Sequence, residues 1–578
     1  MLERCRETGS VRKRWTGRLP IALLYPNCYS VAVSNLGYQL IYALINRDDR
    51  IVCERFVYPE SGSFRSLESS RPLRDFPLVF ASVSFEADYP ALAALLAAGG
   101  VEPFHRDRDP IVKPGAPLVV IGGAAMLVNP EPLAPFADLM VVGEAEPVLA
   151  ALLDLLIESV GSRRSELCLA AACTLGSCYA PGWYDDEYDA DGRLIGQVAR
   201  GGVPARVRRV HSGDRGISGH SVLQSPEAEL NMYMTELGRG CSRGCRFCAA
   251  GFIYRPPRLW SGDAVLDALN VRPQEQSHVG LLGMEMAETA TLDRIAAYLE
   301  HHGCSLSFSS LRADRISARV LSLLTASGLK SVAIAPDGAS QRLRQVINKG
   351  LDEEDLLNAG ERLVGGGIVN LKLYVMIGLP TETTADLDEL IAMVHRLQKR
   401  ILPLGRRRGR VSEITLSVNS FVPKPWTPFQ YAGFGGLGEE ESLAASEATA
   451  AIHQLKDRIR HLRQGFAGTA NLRIKTDHPE RVLQQAVFSR GDRRLAPVLL
   501  DMGTGRRSFK QSMRRHGLSS AAYAVRHREE HEILCWERVD HGLRPGYLWE
   551  EYQRGLKGKT TAACDTTTCR RCGICNRK

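Results

Sequence analysis

Eleven residues decide how this chain is organised: Gly238-Arg-Gly-Cys241-Ser-Arg-Gly-Cys245-Arg-Phe-Cys248, directly after a strand predicted at Met232–Glu236. The three cysteines have the spacing C-x3-C-x2-C, and the glycines between them let the backbone turn sharply. Thiolates are the usual ligands of iron–sulfur clusters. Three of them hold three irons of a [4Fe–4S] cube and leave the fourth iron open, whereas structural zinc takes four ligands. Cys241, Cys245 and Cys248 therefore predict a three-cysteine cluster.

The strand before these cysteines is the first of six that alternate with helices over residues 226–435. Strands are predicted at Met232–Glu236, Val279–Leu282, Ser305–Ser309, Ser331–Ile334, Asn370–Ile377 and Glu413–Val418, and helices at 290–301, 315–327, 353–364 and 384–399. This alternation predicts a parallel sheet, and six β/α units suit a partial (β/α)6 barrel. The chemistry of such barrels lies at the carboxyl ends of the strands, where the three cysteines stand.

Residues 1–160 predict a second α/β unit, a doubly wound parallel sheet. Its strands are expected at Ile21–Tyr25, Leu78–Ser82, Leu118–Ile121 and Leu139–Val142, with helices at Leu36–Asn46 and Pro90–Ala98. Sheets of this class bind ligands beyond the carboxyl ends of their strands. Residues 161–225 are less regular, and we expect a linker region with a hairpin at Asp189-Ala-Asp-Gly192.

Residues 436–578 predict a small α+β region with a long helix at 439–463 and a strand at Asn471–Lys475. Four cysteines end this region: Cys564, Cys569, Cys572 and Cys575. Four thiolates satisfy either a [4Fe–4S] cluster or a structural zinc, and their spacing does not decide between them. We favour an auxiliary cluster, because the same chain already handles iron–sulfur chemistry.

The amino-acid composition limits the classes of protein to which this chain can belong. A chain of 578 residues, 44% hydrophobic and 24% charged, predicts about two to four globular domains. Its net charge of +8 permits a nucleic-acid partner without arguing for one. Fifteen cysteines, clustered within a long chain, are typical of metal ligation in a reducing cytosol. No run of about 18 apolar residues occurs, so we expect a cytoplasmic protein without a membrane partner.

The cysteine loop resembles the signature of the radical S-adenosylmethionine (SAM) superfamily. More closely, the chain resembles the group with an N-terminal cobalamin-binding-type domain. The resemblance rests on segments 120–123, 129–132, 143–146, 373–382, 419–429 and 489–497 and on the terminal cysteines. It implies that the open iron binds the amino and carboxyl groups of SAM and that one electron cleaves SAM to a 5′-deoxyadenosyl radical. It also implies a reducing donor such as flavodoxin or ferredoxin, and a substrate that the sequence does not identify.

The resemblance assigns roles to several further residues. Phe247 is similar to the aromatic residue whose backbone contacts the adenine of SAM. Gly283 and Glu285 follow the second barrel strand, where relatives carry a Gly-Gly-Glu-like motif for the SAM amino group; only one of its glycines is present. Asp337 ends the fourth strand and would bind the ribose or the amino group. The segment that packs near adenine is matched by Gly378, Leu379, Pro380 and Glu382. For the three carboxylates, an ordinary strand-end or helix cap is the alternative.

The cobalamin domain departs from its pattern in one respect. Relatives carry an Asp-x-His-x-x-Gly loop whose histidine binds cobalt, but the corresponding loop, residues 26–37, contains no histidine. His105 is the only histidine of the first 210 residues and lies outside this loop. Two outcomes stay open: cobalamin bound without a histidine ligand, or a domain that serves the substrate or acts as a scaffold.

Several reaction types fit such an enzyme: methyl transfer through cobalamin, sulfur insertion or radical rearrangement. The alternative from another class is a non-catalytic iron–sulfur or zinc protein that binds RNA through its arginine-rich tail. The barrel motifs argue against it, because a binding module has no need of a SAM pocket.

Overall fold

The computed structural model describes residues 7–60, 63–308, 311–438 and 448–576, and the doubly wound N-terminal sheet is confirmed. Its strands are β1 (Leu19–Tyr25), β2 (Ile51–Val57), β3 (Leu78–Ser82), β4 (Leu118–Gly122), β5 (Leu139–Val141) and β6 (Cys178–Tyr179). The spatial order is β2-β1-β3-β4-β5-β6, parallel except for β6. The chain order therefore reverses between β1 and β3, which is the position where sheets of this order bind ligands.

The helices of this unit cover both faces of the sheet. They span Tyr29–Ala32, Leu36–Asn46, Tyr89–Ala98, Ala124–Val128, Leu149–Leu156 and Arg164–Thr174. The last helix and β6 come from the region that we predicted as a linker, so that region contributes an edge to the sheet. The hairpin expected there is present as β7 (Tyr184–Tyr188) and β8 (Leu194–Ala199), and β9 (Val207–Arg208) follows it.

Within the described residues, the second α/β unit contains seven parallel strands, one more than predicted. They are β10 (Tyr233–Glu236), β13 (His278–Leu282), β14 (Ser305–Phe308), β15 (Ser331–Asp337), β16 (Asn370–Ile377), β17 (Glu413–Ser420) and β18 (Leu472–Thr476). A bridge between Leu311 and Ile334 links the segment after β14 to β15, the first strand of the sheet β15-β16-β17-β18. The seventh strand is the one that we expected in the C-terminal region; it pairs in parallel with β17 and extends the sheet β15-β16-β17-β18.

Helices connect these strands and continue beyond them. They span Ala250–Ile253, Gly262–Asn270, Thr289–His301, Ala318–Ala326, Gln341–Val346, Glu353–Gly365, Thr384–Arg407, Thr449–Gly465, Pro479–Arg490, Ala496–Gly503, Phe509–Arg515 and Tyr547–Leu556. The helix predicted at 439–463 is present from Thr449 onward, and its earlier part lies outside the described residues. Among the helices that the structure describes, none has both the length and the apolar character that crossing a bilayer demands.

Candidate iron–sulfur and cofactor site

The cysteine loop is held at both ends by a short antiparallel ribbon. Strand β11 (Gly238–Arg239) pairs with β12 (Arg258–Leu259). The residues between these two strands therefore form a loop, closed at its base, at the carboxyl end of β10. Gly240 has a φ of +86°, and a Cβ there would lie 2.6 Å from the carbonyl oxygen of Tyr254. Only glycine fits this close approach of the two backbone segments.

The three thiols of this loop are in a setting that suits a cluster. Burial raises the pKa of Cys241 to about 11 and that of Cys245 to about 12, so a cation is required to hold them as thiolates. The nearby backbone N–H group of Arg243 opposes this rise in pKa at Cys241, and those of Ala250 and Gly251 oppose it at Cys248. Hydrogen-bond donors near the sulfurs tune iron–sulfur clusters. The donor set therefore fits a [4Fe–4S] group.

A buried arginine inside the motif anchors the loop to the second α/β unit. The backbone N–H of Arg246 donates to the carbonyl of Ile347 at 3.0 Å, and its guanidinium donates to the carbonyl of Val346 at 2.9 Å. A second nitrogen lies 3.2 Å from the carboxylate of Glu551. The side chain is fully buried although arginines are usually exposed, so sequence reasoning had no signal for its role.

Glu285 lies against the cysteine loop. Its Oε1 accepts a hydrogen bond from the backbone N–H of Ser242 at 2.9 Å and another from the Ser242 hydroxyl. The carboxylate thus caps the backbone next to Cys241. Its predicted contact with the amino group of SAM stays a prediction.

Asp337 also faces the cysteines, together with a lysine that the sequence analysis did not single out. Asp337 ends β15 with a φ of +59°, and its Oδ2 lies 2.5 Å from the Nζ of Lys349. Burial raises the pKa of Asp337, and Lys349 opposes that shift. Both charges act on the thiol of Cys245. A buried cation therefore stands beside the site where an anionic cluster would bind.

The other predicted SAM contacts fall into two groups. Phe247 is part of the cysteine loop and packs, partly buried, against the core. Gly378, Leu379 and Pro380 are buried at the end of β16. Glu382 accepts from the N–H of Gly378 at 3.0 Å and pairs with Arg458 at 2.8 Å.

Burial raises the pKa of Glu382 to about 7, partly opposed by the charge of Arg458. The structure thus gives this carboxylate a capping and pairing role, and its contribution to SAM binding stays a prediction.

A cavity of about 560 Å³ lies between the N-terminal sheet and the first strands of the second α/β unit. Its mainly apolar wall comes from the carboxyl ends of β1, β3 and β4, and from residues 282–284 after β13. Gly283 is one of these residues. At Gly122 an added Cβ would meet only the Val141 side chain at 4.0 Å, so the glycine leaves room for a ligand to approach the backbone. Among the described residues, no histidine lines this cavity.

Ionic contacts form the polar wall of this cavity and link its two sides. Arg239, two residues before Cys241, lies 3.1 Å from Glu144, 2.7 Å from Glu146 and 3.0 Å from Glu236. Glu144 and Glu146 follow β5 of the N-terminal sheet, whereas Arg239 and Glu236 belong to the second unit. These ion pairs therefore fix the start of the cysteine loop against the wall of the cavity.

The four terminal cysteines lie beside the cysteine loop. The backbone N–H of Cys564 donates to the carbonyl of Ser242 at 2.7 Å. All four thiols are free and lie close enough to influence one another's ionisation. The guanidinium of Arg571 donates to the sulfur of Cys569 at 3.3 Å, and the charge of Arg255 opposes the rise in pKa that burial causes at Cys564. Four thiols with cationic N–H donors fit a metal centre with thiolate ligands.

Within the described ranges, no three histidine, cysteine, aspartate or glutamate side chains are placed to share a single metal ion. A [4Fe–4S] cube engages each thiolate through a different iron, so its ligands do not meet at one point.

Two family models match the chain. The model described as radical SAM proteins, N-terminal, matches residues 37–181, which contain most of the N-terminal sheet. The model of the radical SAM superfamily matches residues 235–394, which contain the cysteine loop and the strands up to β16. Together the two models cover more than half of the chain.

The chain is also similar to individual proteins. It is 25% identical over 485 residues to the uncharacterized protein MJ0966 of Methanocaldococcus jannaschii, covering 83% of this chain and 90% of that protein. Among solved structures, it is similar to the radical SAM methyltransferase TsrM of Kitasatospora setae with cobalamin and a [4Fe–4S] cluster bound. That match has a TM-score of 0.46 at 14% identity, over 86% of this chain and 99% of the other.

A second solved structure is the cobalamin-dependent SAM radical enzyme OxsB with aqua-cobalamin and SAM bound. It matches with a TM-score of 0.44 at 12% identity, over 88% of this chain and 85% of OxsB.

Proposed function

This chain belongs to the radical SAM superfamily, and we propose that it cleaves SAM reductively at a [4Fe–4S] cluster held by Cys241, Cys245 and Cys248. When bound, the cluster supplies the single electron for that cleavage. The observation that carries the proposal is a loop with three partly buried cysteines, clamped at the carboxyl end of the first strand of a parallel sheet. The resulting radical acts on a substrate, and a reducing partner restores the electron.

The polar groups around the loop have separable roles in this proposal. Glu285 fixes the backbone at Ser242 and keeps one carboxylate oxygen for the amino group of SAM. Lys349, held by Asp337, offers a buried cation to the cluster and to the carboxyl group of SAM. Phe247 and segment 378–382 border the adenine. Each role requires only orientation and charge from the protein, because the bond that breaks lies within SAM.

The cavity next to Arg239 is the site where cobalamin would bind, again as part of this proposal. Three features support it: the mostly apolar wall, the position at the switch between β1 and β3, and the open backbone at Gly122. In relatives, the loop that corresponds to residues 26–37 carries the histidine ligand of cobalt. Here its residue Asn27 donates a hydrogen bond to the carboxylate of Asp88 at 3.0 Å. Methyl transfer through a cobalamin without a protein imidazole is therefore the reaction that we favour.

We also assign an auxiliary [4Fe–4S] cluster rather than zinc to Cys564, Cys569, Cys572 and Cys575. Flavodoxin or ferredoxin is the proposed donor, and the reducing cytosol is the proposed compartment. The RNA-binding alternative is set aside, because membership in the radical SAM superfamily accounts for the cysteine loop.

The decisive experiment is the reaction of reduced, anaerobically reconstituted protein with SAM. We expect 5′-deoxyadenosine or a methyl product derived from SAM, detected by mass spectrometry. Changing Cys241, Cys245 and Cys248 together to Ala should abolish both products, because no ligand then holds the cluster. A matched control changes Cys173 and Cys304, which lie in neither cysteine group, to Ser. Full turnover in the triple variant would falsify the proposal.

Cobalamin binding has its own spectroscopic test. We expect bound cobalamin to be base-off and to lack a histidine ligand, because the cavity offers no imidazole. Protein loaded with Co(II) cobalamin should therefore give an electron paramagnetic resonance spectrum without axial nitrogen splitting. A clear nitrogen triplet would contradict this assignment. Failure to bind cobalamin, with SAM cleavage intact, would instead point to a substrate-binding or scaffold domain.

A further inference from the structure

Two hydrogen-bonded routes connect the terminal cysteines to the radical SAM loop. The first is short: the N–H of Cys564 donates to the carbonyl of Ser242, the residue after Cys241. The second runs through Arg255, whose guanidinium donates to the carbonyl of Gly251 at 2.8 Å and to the hydroxyl of Tyr547 at 3.1 Å. The N–H of Tyr547 donates to the carbonyl of Arg544 at 3.3 Å, and the N–H of Arg544 donates to the carbonyl of Cys572 at 2.9 Å.

The segment before Cys564 is fixed on the same loop. Asn348 donates to the carbonyl of Gly244 at 3.2 Å and to that of Thr561 at 3.1 Å. The N–H of Thr561 donates back to Asn348 at 2.8 Å, and Arg246 donates to the carbonyl of Lys559 at 2.7 Å. Because Arg246 is fully buried, this docking belongs to the folded core and is not a loose surface contact.

The outer side of the tail is exposed and strongly basic. Only Cys572 of the four cysteines is buried; the other three are partly exposed. The exposed cations of residues 541–576 form what we term the cationic rim: Arg544, Arg554, Lys557, Lys559, Arg570 and Arg571. Against these six, the exposed carboxylates of the same stretch are Glu550, which pairs with Arg544, and Asp565. A surface with this excess of one sign attracts a partner of the opposite sign.

We propose that the terminal four-cysteine site is the electron entry of this enzyme, and that the cationic rim docks a small acidic one-electron donor protein. The inference rests on the proposed radical SAM function and adds to it a route and a partner. The site stands between solvent and the cysteine loop, and hydrogen-bonded backbone connects the two.

The electron count of the step is simple. With both centres bound, one electron would leave the reduced donor, pass to the metal held by the four terminal cysteines, and reduce the cluster held by Cys241, Cys245 and Cys248. That one electron would cleave a sulfur–carbon bond of SAM and release methionine and the 5′-deoxyadenosyl radical. At the tail no covalent bond forms or breaks and no proton is transferred, so the centre there returns to its oxidised state after each transfer. Zinc has no redox chemistry and could not serve this step.

The first experiment compares two reductants on the reconstituted full chain. Reduced flavodoxin is the protein donor, and titanium(III) citrate is a small reductant that needs no docking surface. Cluster reduction is followed by rapid-freeze electron paramagnetic resonance. In a Cys569→Ser, Cys575→Ser variant, we expect reduction by flavodoxin to fall about tenfold or more, because the entry centre is lost. Reduction of the remaining cluster by titanium(III) citrate should stay within about twofold of the parent. Cys173→Ser is the matched control.

The second experiment tests the rim by charge reversal. Lys557→Glu with Lys559→Glu should slow reduction by flavodoxin about tenfold at low salt, and the difference should shrink at high salt as screening removes the attraction. Iron and sulfide content should equal that of the parent, which excludes loss of the centre as the cause. Arg407→Glu with Arg410→Glu reverses two exposed charges of another basic loop and serves as the control.

Three results would overturn the proposal. The tail could contain zinc and no inorganic sulfide, which leaves no carrier for the electron. Flavodoxin could reduce the lysine variant as fast as the parent at low salt. Finally, the lysine pair could be needed for binding tRNA but not for reduction, which would assign the rim to nucleic acid. Loss of SAM cleavage with titanium(III) citrate in the parent would instead contradict the proposed function itself.

Discussion

At the scale of single residues, His541 shows how burial of one side chain makes stability depend on pH. Its ring is only 3% exposed, packs edge-on against Trp426, and hydrogen-bonds through Nε2 to the carbonyl of Leu127 at 2.8 Å. Burial, aided by the charge of Arg209, lowers its pKa to about 3. In the unfolded chain a histidine titrates near pH 6.5.

The sign follows from which state binds the proton. Below about pH 6.5, His541 binds a proton in the unfolded chain but not in the folded protein. The free energy of unfolding therefore falls by about 1.4 kcal/mol for each pH unit, down to about pH 3. We expect His541→Gln to be less stable than the parent at pH 7.5. The difference in free energy of unfolding between the parent and His541→Gln should be smaller at pH 5.5 than at pH 7.5, by about 1.4 kcal/mol. Denaturant titrations at both pH values measure this, with the exposed His453→Gln as control. A gap that is independent of pH would contradict the assignment.

At the scale of elements, the tail and the cysteine loop are separate ligand sets that share a contact. The loop is closed by β11 and β12, far from the tail in sequence, so its ligands should survive removal of the tail. Deleting residues 564–578 should lower bound iron from about eight to about four per chain, since each cube contains four irons. Elemental analysis of iron, sulfide and zinc gives the readout, and the 241–248 cluster should remain visible by its spectrum.

Two outcomes of the tail deletion would change the assignment. Loss of one zinc at constant iron would identify the tail as a structural zinc site. Unchanged metal content would mean that the terminal cysteines are not ligands at all. A Cys173→Ser, Cys304→Ser variant controls for nonspecific metal binding by free thiols.

At the scale of the whole molecule, buried polar contacts join the N-terminal sheet to the C-terminal region. Asn129 donates to the carbonyl of Ser489 at 3.1 Å and to that of Gly491 at 2.7 Å, and the amide is fully buried. Arg493 pairs with Glu131 at 3.0 Å. These residues belong to two of the segments, 129–132 and 489–497, that carried the family resemblance, and the fold places them in contact.

Removal of the Asn129 amide should therefore destabilise the assembled chain. Asn129→Ala removes a hydrogen-bond donor from two buried carbonyls, and we expect about 1–3 kcal/mol less stability. Thermal unfolding should show a lower midpoint, whereas Asn270→Ala, at an exposed helix end, should change stability by less than about 0.5 kcal/mol. Equal unfolding midpoints for the parent and Asn129→Ala would show that these hydrogen bonds contribute nothing to stability.

Local pattern was enough to predict much of this protein. Alternating apolar strands and amphipathic helices predicted the two parallel α/β units, and strand β16 was predicted with its observed bounds. The C-x3-C-x2-C spacing predicted the loop at a strand end. These features depend on residues close in sequence, because periodicity and ligand spacing are local properties.

Pairing across long sequence separations was decided only by the tertiary structure. Strand β2, Ile-Val-Cys-Glu-Arg-Phe-Val, includes two charged residues and was missed, because its buried charges find partners elsewhere: Arg55 pairs with Glu7 and Glu68. Strand β18 became the seventh strand because it lies next to β17 in space.

The burial of Arg246, the cation at Lys349, and the docking of the tail on the cysteine loop likewise depend on distant partners. A charged residue is buried only where the fold supplies its hydrogen bonds and counter-charges. These partners are distant in sequence, so the residues next to the charge do not predict its burial.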